Sequence, residues 1–492
     1  MQNLNYRMLI YTLGLIALIE AGFMVAPFIV SLAYADQARL GFGITILVLG
    51  VLGGLALIRK PKQTHLQAKD GFVIVALSWI IMSLFGAIPF IASGYVNSYV
   101  DAVFETVSGF TTTGSTILTA DIIDTMPKSL LLWRSLTQWM GGMGVLVFVI
   151  AILPKADGEI IHLFRAEVPG PEAGKLVSKL RNSARILYAI YVVLTILEII
   201  FLSFKMPIFD AIINSLSTAS TGGFSCHSSS IMYYNSLYVE IVISVFMYIF
   251  ALNFTLFYLL LMKRFKEVFA DEEFLVFTGI VILAMFAIAL DLYYTAGGTY
   301  STFAECLRHS SFNTLSIVST AGFGTVDFAT WPTFSQAILF TLMFFGGCAG
   351  STAGGLKISR IIIITKSGVK EIRKSMHPKS VNIIRFNGQP VDQSVISGVQ
   401  RYFMLYMVLF TISVLLVSIS NSHGSFTGIN ESVTAVATAI NNVGPALGTL
   451  GPYSNFASTS IFTKIILTLD MLAGRLEILP MMILLVPKTW KK

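Results

Sequence analysis

The sequence predicts an all-α polytopic membrane protein: four helix–loop–helix repeats arranged with pseudo-fourfold symmetry, preceded by an N-terminal two-helix hairpin. Three observations predict it. The chain is apolar and poor in charge, its apolar residues fall into runs long enough to cross a bilayer, and one Gly/Thr-rich motif recurs four times between those runs.

Of 492 residues, 55% are hydrophobic and 12% charged. Soluble domains carry roughly 25% charged residues. A spanning helix needs about 20 mostly apolar residues. Ten runs qualify, near 8–33, 40–58, 72–93, 129–153, 184–204, 237–262, 274–296, 334–365, 402–420 and 458–487. The segments 59–70, 154–185, 263–273, 357–385 with Arg401, and 488–492 carry 25 of the 33 Lys and Arg, and all fall on one side of a ten-span chain. The positive-inside rule makes that side cytoplasmic, with both termini inside; the cytoplasmic (inner) membrane is the expected location. The net charge of +7 is mostly this bias, dispersed over several loops, so no nucleic-acid partner is expected. The first run is longer than a signal-peptide core and contains Glu20 and Pro27, so it is expected to span rather than to be removed at "AYAD". Three cysteines, Cys226, Cys306 and Cys348, make no disulfide framework.

The repeat is anchored on "GFTTTGST" at 109–116. Related stretches are "SLSTASTGGFS" (215–225), "LSIVSTAGFGT" (315–325) and "VATAINNVGPALG" (436–448). The anchor glycines are Gly114, Gly223, Gly322 and Gly444. Thirteen residues before them stand Asp101, Asp210, His309 and Glu431; six before, Ser108, Ser217, Ser316 and Thr438; two before, Thr112, Thr221, Thr320 and Asn442. Each copy follows one apolar run and precedes another. The expected organisation is therefore a helix pair at 1–66 and four units of helix, half-helix, loop and helix at 67–165, 166–269, 270–380 and 381–492. The acids at three of the four half-helix starts suit N-capping, and His309 breaks that pattern.

Irregular backbone at membrane depth is tolerated only where protein buries it or where it lines a water-filled cavity. Four such loops about one axis make a ring. Glycine permits conformations that turn carbonyls toward the axis, and rings of carbonyl oxygens replace the hydration shell of an alkali cation. Half-helices ending at the ring add partial negative charge. The four loops are thus expected to line a central cation pore.

These motifs, with "FFGGCAGSTAGGLKISR" at 344–360, resemble those of the Trk/Ktr superfamily of potassium transport proteins, and within it the TrkH-like membrane subunits. The resemblance covers nearly the whole chain. It implies potassium uptake with K+ as the transported ion, no organic cofactor in this chain, a homodimer, and a cytoplasmic nucleotide-binding regulatory subunit resembling TrkA. It implies a selectivity filter made by Thr111, Thr112, Thr113 and Gly114; Ser220, Thr221, Gly222 and Gly223; Ser319, Thr320, Ala321 and Gly322; and Asn441, Asn442, Val443 and Gly444. All four filter glycines are present, which by the same resemblance favours potassium over sodium. Coupling of uptake to H+ or Na+ and sodium permeation are the alternatives.

Two further features point to control. Five of the ten residues at 346–355 are glycine, each costing roughly 1 kcal/mol relative to alanine inside a helix, so the helix is expected to break there. The resemblance implies an intramembrane gating loop: Gly346, Gly347, Gly350, Ser351, Thr352, Gly354 and Gly355, with Lys357 at its end. Its spacing does not match a nucleotide-binding P-loop. Arg475, in the last apolar run, is an intramembrane charge and so a functional position by default. The resemblance implies that it faces the pore beside that loop, the alternative being an ion pair with Asp470 or Glu477. Arg134 is expected to be an interfacial anchor. An enzyme would need a cluster of reactive side chains. Glu305, Cys306 and His309 offer too few ligands for a structural zinc, so the chain is not expected to be an enzyme.

Overall fold

In the computed structural model, residues 4–58, 61, 68–144, 180–295, 300–379, 382–421 and 428–490 are described. The chain is a polytopic, all-helical membrane protein. Its only described strands are a two-residue pair, Arg385–Phe386 and Gln389–Pro390, closed by Asn387 and Gly388.

Six of the apolar runs form long helices: Tyr6–Tyr34, Arg39–Ile58, Lys69–Ala92, Ala184–Ser203, Glu272–Thr295 and Gln393–Ser420. The other four behave differently. Run 237–262 is two helices, Leu237–Ala251 and Phe254–Leu261, bent by 94°. Run 334–365 stops at Phe345 and resumes at Ile358. Run 458–487 stops at Arg475 and resumes at Leu479. Run 129–153 is described as the helix Lys128–Gly142, and its remainder beyond Gly144 lies outside the described residues. Hydropathy counts apolar side chains and is blind to a backbone interruption whose polar groups are satisfied by neighbouring protein. The second helix in units two, three and four is interrupted in this way.

The first two helices form the expected hairpin. A methyl carbon on Gly14 would stand 2.4 Å from Cβ of Ala56, and one on Gly53 would stand 2.7 Å from the Gly14 carbonyl oxygen. Small residues therefore bring the two backbones together, a common solution where lipid supplies no hydrophobic drive. The pair leans on the first unit through Phe42, whose ring meets Trp133 edge-on at 6.4 Å.

Four half-helices follow the first helix of each unit: Tyr99–Phe110, Ile208–Ala219, Phe303–Val318 and Ile429–Asn441. Their acids do not occupy the N-cap, as expected from sequence, but the third helical position: Asp101, Asp210 and Glu431 follow N-caps Ser98, Pro207 and Gly428. There a carboxylate still meets the positive end of the helix dipole, and Glu431 accepts from the Gly428 amide at 3.3 Å. The third half-helix starts one turn earlier, so Glu305 takes the equivalent place behind N-cap Thr302. Glu305 accepts from the Ser301 amide at 2.9 Å. His309 lies a turn inside the helix, which accounts for the apparent break in the repeat.

Candidate functional site

The four half-helices end alike. In each, the residue two before the anchor glycine has a left-handed backbone: Thr112 (φ 56°), Thr221 (56°), Thr320 (59°) and Asn442 (54°). The next amide reaches back to the carbonyl six residues before the glycine: Thr113 to Ser108, Gly222 to Ser217 and Ala321 to Ser316 at 2.9 Å, and Val443 to Thr438 at 3.0 Å. This is the Schellman termination, which normally takes glycine at the left-handed position. Three β-branched threonines hold it here, at a cost of order 1–3 kcal/mol each. The fourth unit uses asparagine, which tolerates that region better. The sequence alignment had found both positions without showing why they recur.

The anchor glycines also have positive φ, 83° at Gly114, 76° at Gly223, 75° at Gly322 and 105° at Gly444. A methyl carbon on Gly114 would lie 2.1 Å from the carbonyl oxygen of Gly222; on Gly223, 1.9 Å from that of Ala321; on Gly322, 2.3 Å from that of Val443; and on Gly444, 2.7 Å from that of Thr113. Each glycine therefore touches the residue before the glycine in the next unit, and the fourth unit closes on the first. The loops form a cyclic ring of backbone in direct contact, with no room for a side chain at the joints. Ser115 Oγ donates to the Gly444 carbonyl at 2.9 Å, and Asn442 Nδ2 donates to Thr113 Oγ1 at 2.9 Å, which strengthens the seam between the first and last units. The three residues before each glycine are buried wherever they are polar: Thr111, Thr112, Thr113, Ser220, Thr221, Ser319, Thr320, Asn441 and Asn442. Thr111 Oγ1 donates to Val107 and Ser220 Oγ to Leu216, back into their own helices, while Tyr406 holds Asn441 Oδ1 at 2.9 Å. Four half-helix C-termini converge here, each equivalent to roughly half a negative charge.

Two cavities flank the ring. One is lined by all four anchor glycines and by residues that follow them, including Thr116, Phe224, His227, Pro445 and Tyr453. The other is lined by Gly142, Gly350, Ser351, Gly354, Gly355, Lys357 and Arg475. Between the ring and the second cavity lies the glycine-rich segment, which is non-helical from Gly346 to Lys357. Gly346, Gly350 and Gly355 take positive φ. Gly346 packs on the Gly354 carbonyl and Gly347 on the Ala353 side chain. The Gly354 amide donates to Thr320 Oγ1 at 2.7 Å, and a methyl carbon on Gly354 would stand 2.4 Å from the Asn441 carbonyl oxygen. The segment thus abuts the ring itself.

Its polar backbone is satisfied by other interruptions. Cys348 and Thr352 donate to the last carbonyls of the bent helix, Ala251 at 2.9 Å and Phe250 at 3.4 Å, and the Phe254 amide donates back to Gly350 at 3.2 Å. Orphaned helix-end carbonyls and loop amides answer one another. Lys357 Nζ donates to the Ala353 carbonyl. Arg475 is the last residue of the helix Ile461–Arg475 in the fourth unit. Its guanidinium donates to the Thr352 carbonyl at 2.9 Å and to the Gly141 and Gly142 carbonyls at 2.6 and 2.8 Å. It ties the glycine segment to the C-terminus of the first unit's Lys128–Gly142 helix. Of the two acids considered as its partners, Asp470 accepts from Ser413 at 2.7 Å and Glu477 pairs with Arg360 at 2.6 Å.

The profile of the TrkH family, described as a cation transport protein, matches residues 39–492. The chain belongs to the TrkH family. It is 35% identical to "Trk system potassium uptake protein TrkH" of Salmonella typhimurium, over 99% of this chain and all of that protein. It is 33% identical to "Trk system potassium uptake protein TrkG" of Escherichia coli over the full length of both. The crystal structure of the potassium transporter TrkH from Vibrio parahaemolyticus superposes with a TM-score of 0.87 at 34% identity, covering 99% of this chain and all of that one.

Several further buried polar residues hold this TrkH-family core together. Arg134 is not an interfacial anchor. It is 3% exposed, pairs with the fully buried Glu105 at 2.8 Å, and stacks over Phe224 with 4.1 Å to the ring centroid. Glu105 also accepts from Thr116 Oγ1 at 2.9 Å and the Ile117 amide at 3.1 Å, so this cluster braces the first loop just past its glycine. Four residues on, Gln138 donates to the Gly222 carbonyl at 2.6 Å and accepts from the Phe224 amide at 3.1 Å, gripping the second loop from both sides. Glu273 accepts from Ala349 and Ser359 amides at 2.8 Å each and clasps both sides of the glycine segment. Arg134 and Gln138, polar residues inside an apolar run, were the available signal; Glu105 and Glu273 lie outside the runs and carried none. Removing one member of a buried pair strands the other charge, so Arg134→Met is expected to cost about 3–5 kcal/mol. Thermal unfolding in detergent would show it as a large drop in midpoint, part of which Arg134→Met with Glu105→Gln restores.

Proposed function

We propose that this chain is the membrane subunit of a potassium uptake system of the inner membrane, a transport protein and not an enzyme. The observation that carries the reading is the closed contact of the four glycine loops, each against the next. A cation filter needs such a ring, because backbone oxygens held by neighbouring units replace water around the ion. In this reading the filter is made by residues 111–114, 220–223, 319–322 and 441–444, the four units divide as 67–165, 166–269, 270–380 and 381–492, and K+ is the transported ion. The test is uptake of radioactive rubidium by proteoliposomes holding the purified chain, with potassium or sodium as competitor. Potassium should compete and sodium should not. Absence of flux under conditions where the protein is inserted would overturn the reading.

The segment 346–357 is the gate, with Lys357 and Arg475 at its end and side. Both termini lie in the cytoplasm and the protein works as a homodimer. A cytoplasmic regulatory subunit resembling TrkA docks on the basic loops 154–185 and 357–385. Residues 154–179 lie outside the described residues, whereas Ile358–Met376 is a helix whose last turn carries Arg373 and Lys374. Nucleotide binding belongs to that subunit. Equilibrium dialysis of the purified chain with ATP and with NADH should give no saturable binding, and micromolar affinity for either would put the nucleotide site in the wrong protein.

A further inference from the structure

Three donor groups of different chemistry meet beside the mouth of the ring: the Asp210 carboxylate, the Cys226 thiol and the His227 imidazole, with their ligand atoms all within 4.8 Å of one another. We propose that they form a site for a thiophilic divalent cation of the zinc class, and that its occupancy restrains ion flow through the ring.

The repeat requires the acid at Asp210 but not Cys226 or His227. Cys226 and His227 stand three and four residues after Gly223. The same places hold Ile117 and Leu118, Thr325 and Val326, and Leu447 and Gly448 in the other units. The geometry is close to what an ion needs. Zinc bonds of about 2.0–2.3 Å set tetrahedral ligands roughly 3.2–3.8 Å apart, and His227 Nε2 already lies 3.3 Å from Asp210 Oδ2. An outer layer orients the donors, as metal sites require. Tyr234 donates to Asp210 Oδ2 at 2.9 Å and its hydroxyl lies 3.4 Å from Cys226 Sγ; Asn214 Nδ2 is 3.2 Å from that hydroxyl and 3.9 Å from the sulfur. The His227 ring is stacked on Tyr233 with centroids 3.5 Å apart. Cys226 is buried, while the Asp210 and His227 side chains keep 15% and 23% exposure and His227 lines the mouth, so an ion has a way in. Three protein ligands leave a fourth position for water.

Binding a dication displaces the Cys226 proton. With neutral imidazole, the group goes from one negative charge to none, which weakens the attraction of the mouth for an incoming cation. The ion also ties the segment after Gly223 to the start of its own half-helix, stiffening one quarter of the ring.

The binding test uses the purified full chain in detergent with cobalt(II) as probe. A thiolate-to-cobalt charge-transfer band is expected. It should vanish in Cys226→Ser, weaken at least tenfold in apparent affinity in His227→Gln, and persist when Cys306 and Cys348 are both serine. Cobalt binding without that band, or a band that survives in Cys226→Ser, overturns the site. Flux is the second arm and rests on the potassium-uptake reading: zinc at micromolar concentration should halve rubidium uptake, and Cys226→Ser should shift that concentration at least tenfold. Equal inhibition in wild type and both variants overturns the restraint. Uptake without zinc reports on folding of each variant, and the cobalt band remains informative even if the transport reading fails.

Discussion

Gly223→Ser is expected to reduce potassium-over-sodium discrimination at least tenfold and to lower rubidium uptake, without preventing membrane insertion. The Cβ of any other residue would stand 1.9 Å from the Ala321 carbonyl oxygen, about half of an ordinary van der Waals separation. That atom is backbone of the next unit and cannot rotate away, so the joint between the second and third loops must open. The residue would also have to hold φ near 76°, where glycine alone is unstrained. At Gly114 the same geometry, 2.1 Å from the Gly222 carbonyl oxygen, is compounded by charge in Gly114→Asp, which should abolish uptake. Gly444 has the mildest clash, 2.7 Å, but its φ of 105° lies beyond what other residues adopt, so substitution there should also be harmful. The measurement is the permeability ratio from competition of sodium and potassium with rubidium, normalised to inserted protein. An unchanged ratio in Gly223→Ser would remove that loop from the filter.

Arg475→Ala is expected to raise potassium flux about tenfold and, if the proposed regulatory subunit controls the gate, to loosen dependence on it. Two effects act together. The guanidinium links the Thr352 carbonyl of the glycine segment to the Gly141 and Gly142 carbonyls across the second cavity, so its loss frees the segment on that side. A fixed positive charge also repels a passing cation, by roughly 3 kcal/mol at about 6 Å and an effective dielectric near 20. Arg475→Lys separates the two. It keeps the charge but replaces a planar fork of five donors with a single ammonium, and is expected to raise flux less than alanine does. Shortening 346–355 should act in the same direction as Arg475→Ala. Unchanged or lower flux in all three variants, with normal insertion, would leave Arg475 as a structural brace and the glycine run as packing.

Much of this architecture was legible because it repeats. Four glycines in register between apolar runs locate the ring, and the positions two and six before them mark the helix terminations, although their Schellman geometry was not foreseen. The abundance of glycine at 346–355 likewise marks a broken helix. Interrupted runs such as Leu237–Leu261 were read as continuous because no breaker stands at the bend. Leu252 and Asn253 can leave the helix there because Cys348 and Thr352, about a hundred residues away, take up the freed carbonyls. The displaced third acid, Glu305 rather than His309, shows the opposite limit: gapless alignment hides a half-helix that starts one turn earlier.

Periodicity, composition and local breaking signals are properties of short windows, and they suffice for the membrane class, the four units and the sites of irregular backbone. They cannot say which irregular segment faces which. The cyclic order of the ring, each glycine against the next unit's carbonyl, depends on contacts between residues about a hundred or more apart. The pairing of Arg134 with Glu105, the clasp of Glu273 on the glycine segment, and the span of Arg475 to the first unit likewise join separate elements that no short window relates. A buried charge or an open carbonyl is costly without a partner, and which partner it meets is decided only when the helices pack.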